Sequence, residues 1–166
     1  MPDSTKTTTA CLIVIGNEIL SGRTQDANLS YLAKWLNERG VRLTEARVIP
    51  DIEDTIVTAV NECRKAFDYV FTTGGIGPTH DDITAASIAK AFGRPLVRRE
   101  EAVELMRKFY GDDNLTEARL RMAHTPEGAE FIENPISRAP GFRVENVFVM
   151  AGVPLNMQSM LESVAH

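Results

Sequence analysis

Apolar and polar positions recur along this chain in two different periods, and the switches between them lay out its elements. Ala10-Cys11-Leu12-Ile13-Val14-Ile15 is an unbroken apolar run, the signature of a parallel strand covered on both faces. Gly16 ends it, and Asn17-Glu18-Ile19-Leu20-Ser21-Gly22 follows as a polar, glycine-bounded loop. Thr24 or Asp26 opens a helix in which Leu29, Leu32, Ala33 and Leu36 fall at i, i+3, i+4 and i+7, and Gly40 closes it. Val41 to Ile49 reads as a second strand, ended by Pro50-Asp51. Glu53 to Phe67 is a second amphipathic helix carrying Ile56, Val57, Val60 and Phe67. Asp68-Tyr69-Val70-Phe71 reads as a short buried strand of aromatic and β-branched residues. A third helix, Asp82 to Phe92, repeats Ile83, Ala86, Ile88, Ala89 and Phe92 near helical spacing.

Residues 10–92 therefore read β-α-β-α-β-α. That order predicts an α/β fold, a three-layer α/β/α sandwich around a mostly parallel sheet with right-handed crossovers. All three polar loops, Gly16 to Gly22, Pro50-Asp51 and Gly74 to Asp82, follow a strand, so they converge at the carboxyl edge where such sheets bind ligands. From Gly93 the alternation breaks. Arg94-Pro95-Leu96-Val97 reads as a connector, and Glu100 to Tyr110 and Leu115 to His124 as two helices joined by Gly111-Asp112-Asp113-Asn114. Ala129 to Ile132 reads as a short strand. Gly141 to Val144 and Asn146 to Met150 form a small β-hairpin near the C-terminus. Gly152-Val153-Pro154 then opens a last helix, Asn156 to Val164. Met1 to Thr9 is polar and reads as a loose tail. The chain stops soon after the last helix begins, so one domain over 10–166 is expected, with room for a continuation at its C-terminal end.

Length and composition fit one domain: 166 residues, 43% hydrophobic and 25% charged, which are ordinary globular proportions. The net charge of −5 argues against a nucleic-acid surface, which calls for a basic patch. Arg98-Arg99 is answered at once by Glu100-Glu101. No stretch approaches a membrane span, and the polar start has no signal-peptide core. Cys11 and Cys63 match neither a disulfide framework nor a metal spacing. They are expected as buried free thiols, which suits a reducing cytoplasm.

The densest chemistry lies in Thr73-Gly74-Gly75-Ile76-Gly77-Pro78-Thr79-His80-Asp81-Asp82-Ile83-Thr84. Three glycines in four residues, set between a strand and a helix, let backbone N–H groups approach a ligand closely and favour an anion. The stretch matches neither Gly-x-x-x-x-Gly-Lys-Ser/Thr nor Gly-x-Gly-x-x-Gly, which excludes the usual phosphate-loop and dinucleotide motifs. An aspartate at a helix start is also an ordinary cap, so Asp81 and Asp82 can be read either way from spacing alone. Ser21 suits a phosphate contact or a plain turn, and Asp51 a turn residue or a ligand. His80 is read either as an acid/base group or as a passive loop histidine. The methionines Met150, Met157 and Met160 read as packing.

Gly16-Asn17-Glu18-Ile19-Leu20-Ser21-Gly22 with Asn28, taken with Thr73 to Thr84, resembles the molybdopterin-binding (MoaB/Mog-like) domain family. The Gly-Pro-Thr-His-Asp-Asp wording is most similar to its competence/damage-inducible protein A (CinA) branch, itself similar to the N-terminal domain of eukaryotic FAD synthases. Ala151-Gly152-Val153-Pro154 with Met157 resembles that branch's Gly-Val-Pro segment. The resemblance implies a pterin- or nucleotide-sized pocket. Its ligand-binding positions are Gly16, Glu18, Ser21, Gly22, Asn28, Thr73, Gly74, Gly75, Ile76, Gly77, Pro78 and Thr84. It also implies Asp51 and Asp82 as catalytic residues, with Asp81 and Asp82 holding a divalent metal (Mg²⁺, Mn²⁺ or Co²⁺). In the CinA branch the associated activity is metal-dependent hydrolysis of ADP-ribose-like pyrophosphates. In the cofactor-biosynthesis members it is adenylylation of molybdopterin, and there basic residues usually precede the matching aspartate, where this chain has His80-Asp81. A non-catalytic binding or assembly module is a third reading. The resemblance further implies a homo-oligomer, with molybdopterin as one candidate ligand.

Overall fold

The apolar run becomes strand β1, Thr8–Ile15, buried from Ala10 to Ile15. In the computed structural model, which describes residues 7–164, β1 is followed by a one-turn helix α1 (Asn17–Leu20), helix α2 (Asn28–Asn37), strand β2 (Val41–Ile49), helix α3 (Glu53–Ala66), strand β3 (Tyr69–Thr73) and helix α4 (Thr84–Phe92). Next come β4 (Leu96–Arg98), α5 (Glu100–Tyr110), α6 (Glu117–Leu120), β5 (His124–Pro126), β6 (Glu130–Ile132), β7 (Gly141–Val144), β8 (Val147–Met150) and α7 (Pro154–Ser163). The main sheet has six strands in the order β2-β1-β3-β8-β7-β6; β4 and β5 pair separately. β1 is parallel to β2 and β3, β3 is parallel to β8, and β6-β7-β8 are antiparallel. The fold is the expected α/β sandwich, and the hairpin is part of its sheet rather than an appendage.

The period of two in β1 divides the core. Cys11, Ile13 and Ile15 point toward α3 and α4, among Ile56, Val60, Ile88, Val70 and Val149. Ala10, Leu12 and Val14 point to the other face, among Leu32, Trp35 and Leu36 of α2 and Met157, Met160 and Leu161 of α7. Helices therefore cover both faces, as continuous apolar strands require. β2 lies at one edge and alternates half-buried with exposed positions. The chain passes from β1 out to β2 and then back across β1 to β3, so the direction of winding reverses between β1 and β3. The loops after those two strands flank the resulting crevice, where open α/β sheets take their ligands.

Several expectations are corrected. Helix α4 begins at Thr84 and not at Asp82, because Asp82 is engaged within the loop. Leu29 is 41% exposed, since the buried stripe of α2 runs through Leu32, Trp35 and Leu36. Residues 94–97 are no mere connector: Leu96–Arg98 pairs antiparallel with His124–Pro126. The expected helix over 115–124 shrinks to one turn, α6, then a 3-10 turn at Arg121–Ala123. Thr8 and Thr9 of the expected tail belong to β1; residues 1–6 lie outside the described residues. Both cysteines are free and buried. Packing of α3 on β1 brings their sulfurs to 3.3 Å, and Glu45 pairs with Cys11 across β1 and β2, a juxtaposition that chain spacing does not reveal.

Candidate functional site

At the crevice the ends of β1, β3 and β8 come so close that side chains are excluded. Gly74 has φ +98°, and a Cβ on it would lie 2.2 Å from the Ile15 carbonyl oxygen. Gly75 has φ +76°, and its missing Cβ leaves the place filled by Thr84 Oγ1. That hydroxyl donates to Gly74 O at 3.0 Å, and Thr84 N donates to Gly75 O at 3.0 Å. The glycines thus let the loop fold back onto the first turn of α4, and Thr84 pins it there. Among the described residues the N–H groups of Gly75, Ile76 and Gly77 have no hydrogen-bond acceptor. Unused donors in one glycine loop form a concavity suited to an anion.

Above the loop opens a cavity of about 620 Å³, lined by Val14, Glu18, Ile19, Asn28, Thr73 to Pro78, Asp82 and the Ala151 to Pro154 turn. That volume lies within the usual range for organic ligand sites. A smaller annex of about 230 Å³ adjoins it and shares Ile15, Glu18, Gly75 and Asp82. Asp51, Asp81, Asn17, Arg23 and Thr79 complete the annex. All three polar loops meet there, and a reciprocal pair of bonds ties two of them: Asn17 N donates to Asp51 Oδ2 (3.1 Å) and Asp51 N to Asn17 Oδ1 (3.3 Å).

Four carboxylates therefore border one small annex. Burial pushes the Asp51 carboxyl up, and the charges of Glu18, Asp82 and Asp81 add to this against the Asn17 hydrogen bond. Asp82 has a bracing duty: its Oδ2 accepts from Thr79 N (2.9 Å) and Thr79 Oγ1 (2.8 Å), leaving Oδ1 unused among the described residues. The Asp81 side chain is 79% exposed and lies 3.5 Å from the still more exposed His80. These oxygen donors suit a hard divalent cation. They are set around an open annex and are not drawn together: the described residues gather three candidate ligand atoms within 4.8 Å only at Cys11, Glu45 and Cys63. A cation here would keep part of its water shell, as Mg²⁺ commonly does.

Of the residues the sequence singles out, Glu18, Asn28, Thr73, Gly74, Gly75, Ile76, Gly77, Pro78 and Asp82 border the cavity, and Asp51 and Asp81 the annex. Gly16, Ser21, Gly22 and Thr84 border neither. Gly16 makes room for the Glu18 carboxylate, which a Cβ would meet at 2.6 Å. Ser21 Oγ donates to Glu18 O and accepts from Arg23 Nε, and Thr84 positions the loop. Asn28 Nδ2 donates to Gly152 O at 2.9 Å, tying α2 to the turn after β8. Its Oδ1 and the Thr73 hydroxyl are buried without partners among the described residues.

The far wall was not foreseen from the sequence. Tyr110, Arg119, Met122, Asn134 and Ser137 all come from the excursion between α4 and β7. Asn134 holds its turn by donating to Ser137 Oγ and Ala139 O while accepting from Ile136 N and Ser137 N. An Asn-Pro step is the one local signal that marked this turn. Arg119 and Tyr110 carry none.

A family described as "Probable molybdopterin binding domain" matches residues 11–166. A curated protein of Archaeoglobus fulgidus is 41% identical over 153 residues, covering 92% of this chain and 66% of its own length. One of Pyrobaculum calidifontis is 39% identical over 160 residues, covering 93% and 61%. The chain thus spans somewhat under two thirds of these relatives. Among solved structures, "the protein CinA with unknown function" from Thermoplasma acidophilum superposes with a TM-score of 0.89 at 36% identity, covering 95% of this chain and 96% of that one. The tungsten cofactor synthesizing protein MoaB from Pyrococcus furiosus shares the fold, with a TM-score of 0.60 at 21% identity and coverage of 97% and 92%. The glycine loop, the carboxylate annex and these matches place the chain in the molybdopterin-binding domain family, with a CinA-like domain among its similar solved structures.

Proposed function

We propose that this domain binds a phosphate-bearing nucleotide and, with a divalent metal, hydrolyses a nucleotide pyrophosphate such as ADP-ribose. One observation carries the reading. A cavity of organic-ligand size and a carboxylate annex share Glu18, Gly75 and Asp82, and the latter two belong to the anion-ready glycine loop. The nucleoside occupies the cavity against Val14 and Ile19. The N–H groups of Gly75, Ile76 and Gly77 hold phosphate oxygens and fix the phosphorus beside the annex. Asp81, Asp82 Oδ1 and Glu18 are the groups that would hold Mg²⁺, Mn²⁺ or Co²⁺, which supplies charge neutralisation and Lewis acidity when bound. Asp51, with its carboxyl pushed up, is the carboxylate best suited to take a proton from the attacking water.

The test is ADP-ribose and FAD turnover with each cation and with excess chelator, comparing wild type with Asp51→Asn. Asparagine keeps the shape and an acceptor for the Asn17 N–H, whereas changing Asp82 also unbraces the loop at Thr79. We expect metal-dependent turnover that falls by about 10²–10⁴-fold in Asp51→Asn, the usual loss of a general base. Full turnover in chelator refutes the metal, and no turnover with any pair refutes the hydrolase.

A second reading is molybdopterin binding or adenylylation. The family description and the MoaB neighbour, whose name assigns it to tungsten cofactor synthesis, favour it. Tight binding of molybdopterin with a requirement for ATP and no ADP-ribose cleavage would select it.

A further inference from the structure

Among the described residues the main cavity is bordered by three carboxylates, Glu18, Asp26 and Asp82, and by one cation, Arg119. Two of these carboxylates already serve the fold. Asp26 accepts from Asn28 N and Leu29 N at the start of α2, and Asp82 accepts from Thr79. Arg119 is in a different position, because it pairs with no carboxylate among the described residues. It is nevertheless held in place. Its guanidinium lies 4.2 Å from the centre of the Tyr110 ring, and its Nη1 donates to Asn114 O at 2.7 Å. An aromatic shelf and one carbonyl immobilise the fork and leave Nε and Nη2 unused. The excursion that carries it also reaches the glycine loop, where Arg121 Nη1 approaches Pro78 O at 3.5 Å.

We propose that Arg119 is the anion-binding residue of the cavity, pairing the ligand's phosphate against the N–H groups of Gly75, Ile76 and Gly77. The inference rests on the phosphate-ligand reading above and names the residue that selects for it. A planar guanidinium with two free donor nitrogens matches a phosphate in a way that a lysine would not. Its fixed position means little side-chain freedom is lost when the phosphate arrives. The same charge helps an anion enter a cavity bordered by three carboxylates, while the annex, where Arg23 faces four carboxylates, would be neutralised by the divalent ion. Tyr110 is the positioning residue, acting through the guanidinium it supports.

The experiment is calorimetric titration of AMP, adenosine and ADP-ribose, in the presence of Mg²⁺, into wild type, Arg119→Gln, Arg119→Lys and Tyr110→Leu. Each variant is first checked for an unchanged melting transition. In wild type AMP binds more tightly than adenosine. Arg119→Gln is expected to shrink that ratio by roughly 10- to 100-fold, the range for a charged hydrogen bond, while leaving adenosine affinity alone. Arg119→Lys restores part of it, and Tyr110→Leu loses part of it. An unchanged AMP-to-adenosine ratio in Arg119→Gln overturns the proposal, as does equal weakening of both ligands. Absence of any binding by the wild type overturns it together with the nucleotide reading. If binding depends on Arg119 but ADP-ribose is not cleaved, only the hydrolase fails. If ADP-ribose is cleaved with the ratio intact, only this inference fails.

Discussion

Gly74→Ala is the substitution that most directly tests how the crevice is built, and Gly22→Ala is its control. Both glycines have positive φ, +98° at Gly74 and +80° at Gly22. An L side chain forced into that region costs about 1–2 kcal/mol, so both variants carry this term. They differ in what the new methyl meets. At Gly22 there is nothing within 4 Å, whereas at Gly74 the methyl would sit 2.2 Å from the Ile15 carbonyl oxygen. That atom is backbone and cannot rotate aside. Gly74 N is also bonded to Met150 O at 3.1 Å, and the backbone of Gly152 packs on Gly74 from the other side. Overpacking of a tight site costs about 1–3 kcal/mol more, giving roughly 2–5 kcal/mol in all at Gly74. Such domains have only about 5–15 kcal/mol in total. At about 2–4 °C per kcal/mol for this size, Gly74→Ala should melt about 4–20 °C lower and Gly22→Ala about 2–8 °C lower. Circular dichroism melts of the three proteins side by side are sufficient. If the two variants melt together, the contact between β1 and the glycine loop is not what excludes a side chain, and the account of the crevice is wrong.

Other consequences follow from the same structure. Because the folded state holds the Asp51 proton more tightly than the unfolded chain does, metal-free stability should fall as pH rises from the ordinary carboxylate range through the raised value. Asp51→Asn should remove that contribution and raise the metal-free melting temperature at neutral pH relative to wild type; a difference between the two proteins that stays constant from pH 4 to 7 would contradict this. Mg²⁺ should raise the wild-type melting temperature and leave Asp51→Asn less affected, and an equal rise in both would remove Asp51 from the cation's surroundings. Cys11 and Cys63 are fully buried; their mutual bond and burial push the Cys11 thiol up, and although the same bond pulls Cys63 down, burial shields both from a reagent. A thiol reagent should therefore count no fast-reacting group in the native protein and two after denaturation. A fast native thiol would show that α3 lifts from β1.

The glycine loop and its aspartates were legible because their chemistry is local. Strand, glycines and helix are contiguous, and the order of elements places the loops after β1, β2 and β3 at one edge. Even there one inference stopped short. Asp82 looks like a helix cap in the sequence, yet Thr79 claims its carboxylate and α4 starts two residues later. The pairing of Cys11 with Cys63 was illegible for a different reason, since it depends on which face of α3 meets β1 across 52 residues of chain. The far wall was least legible of all. Residues 94–140 show no regular alternation, and apart from α5, which the sequence placed at its observed bounds, their elements are short: β4 and β5 have three residues each and α6 has four. Short elements carry too few positions for a period to emerge, so their form depends on tertiary contacts such as Arg99 donating to Thr125 Oγ1 and Ala129 O.

This difference in legibility divides the site itself. The glycine loop and the carboxylates of the annex come from strand ends, whose positions the sheet topology dictates. The opposite wall, Arg119 included, comes from an excursion held by individual side chains: the Asn134 turn, the Arg99 bonds and the Tyr110 shelf under Arg119. The excursion has a small core of its own around Ala102, Val103 and Met106, and Ala129 and Ile132 tie it to the two main clusters. Changes on this wall away from Arg119 should alter which ligand is chosen while leaving the phosphate cradle in place, and changes in the cradle or at Arg119 should weaken every phosphate ligand alike.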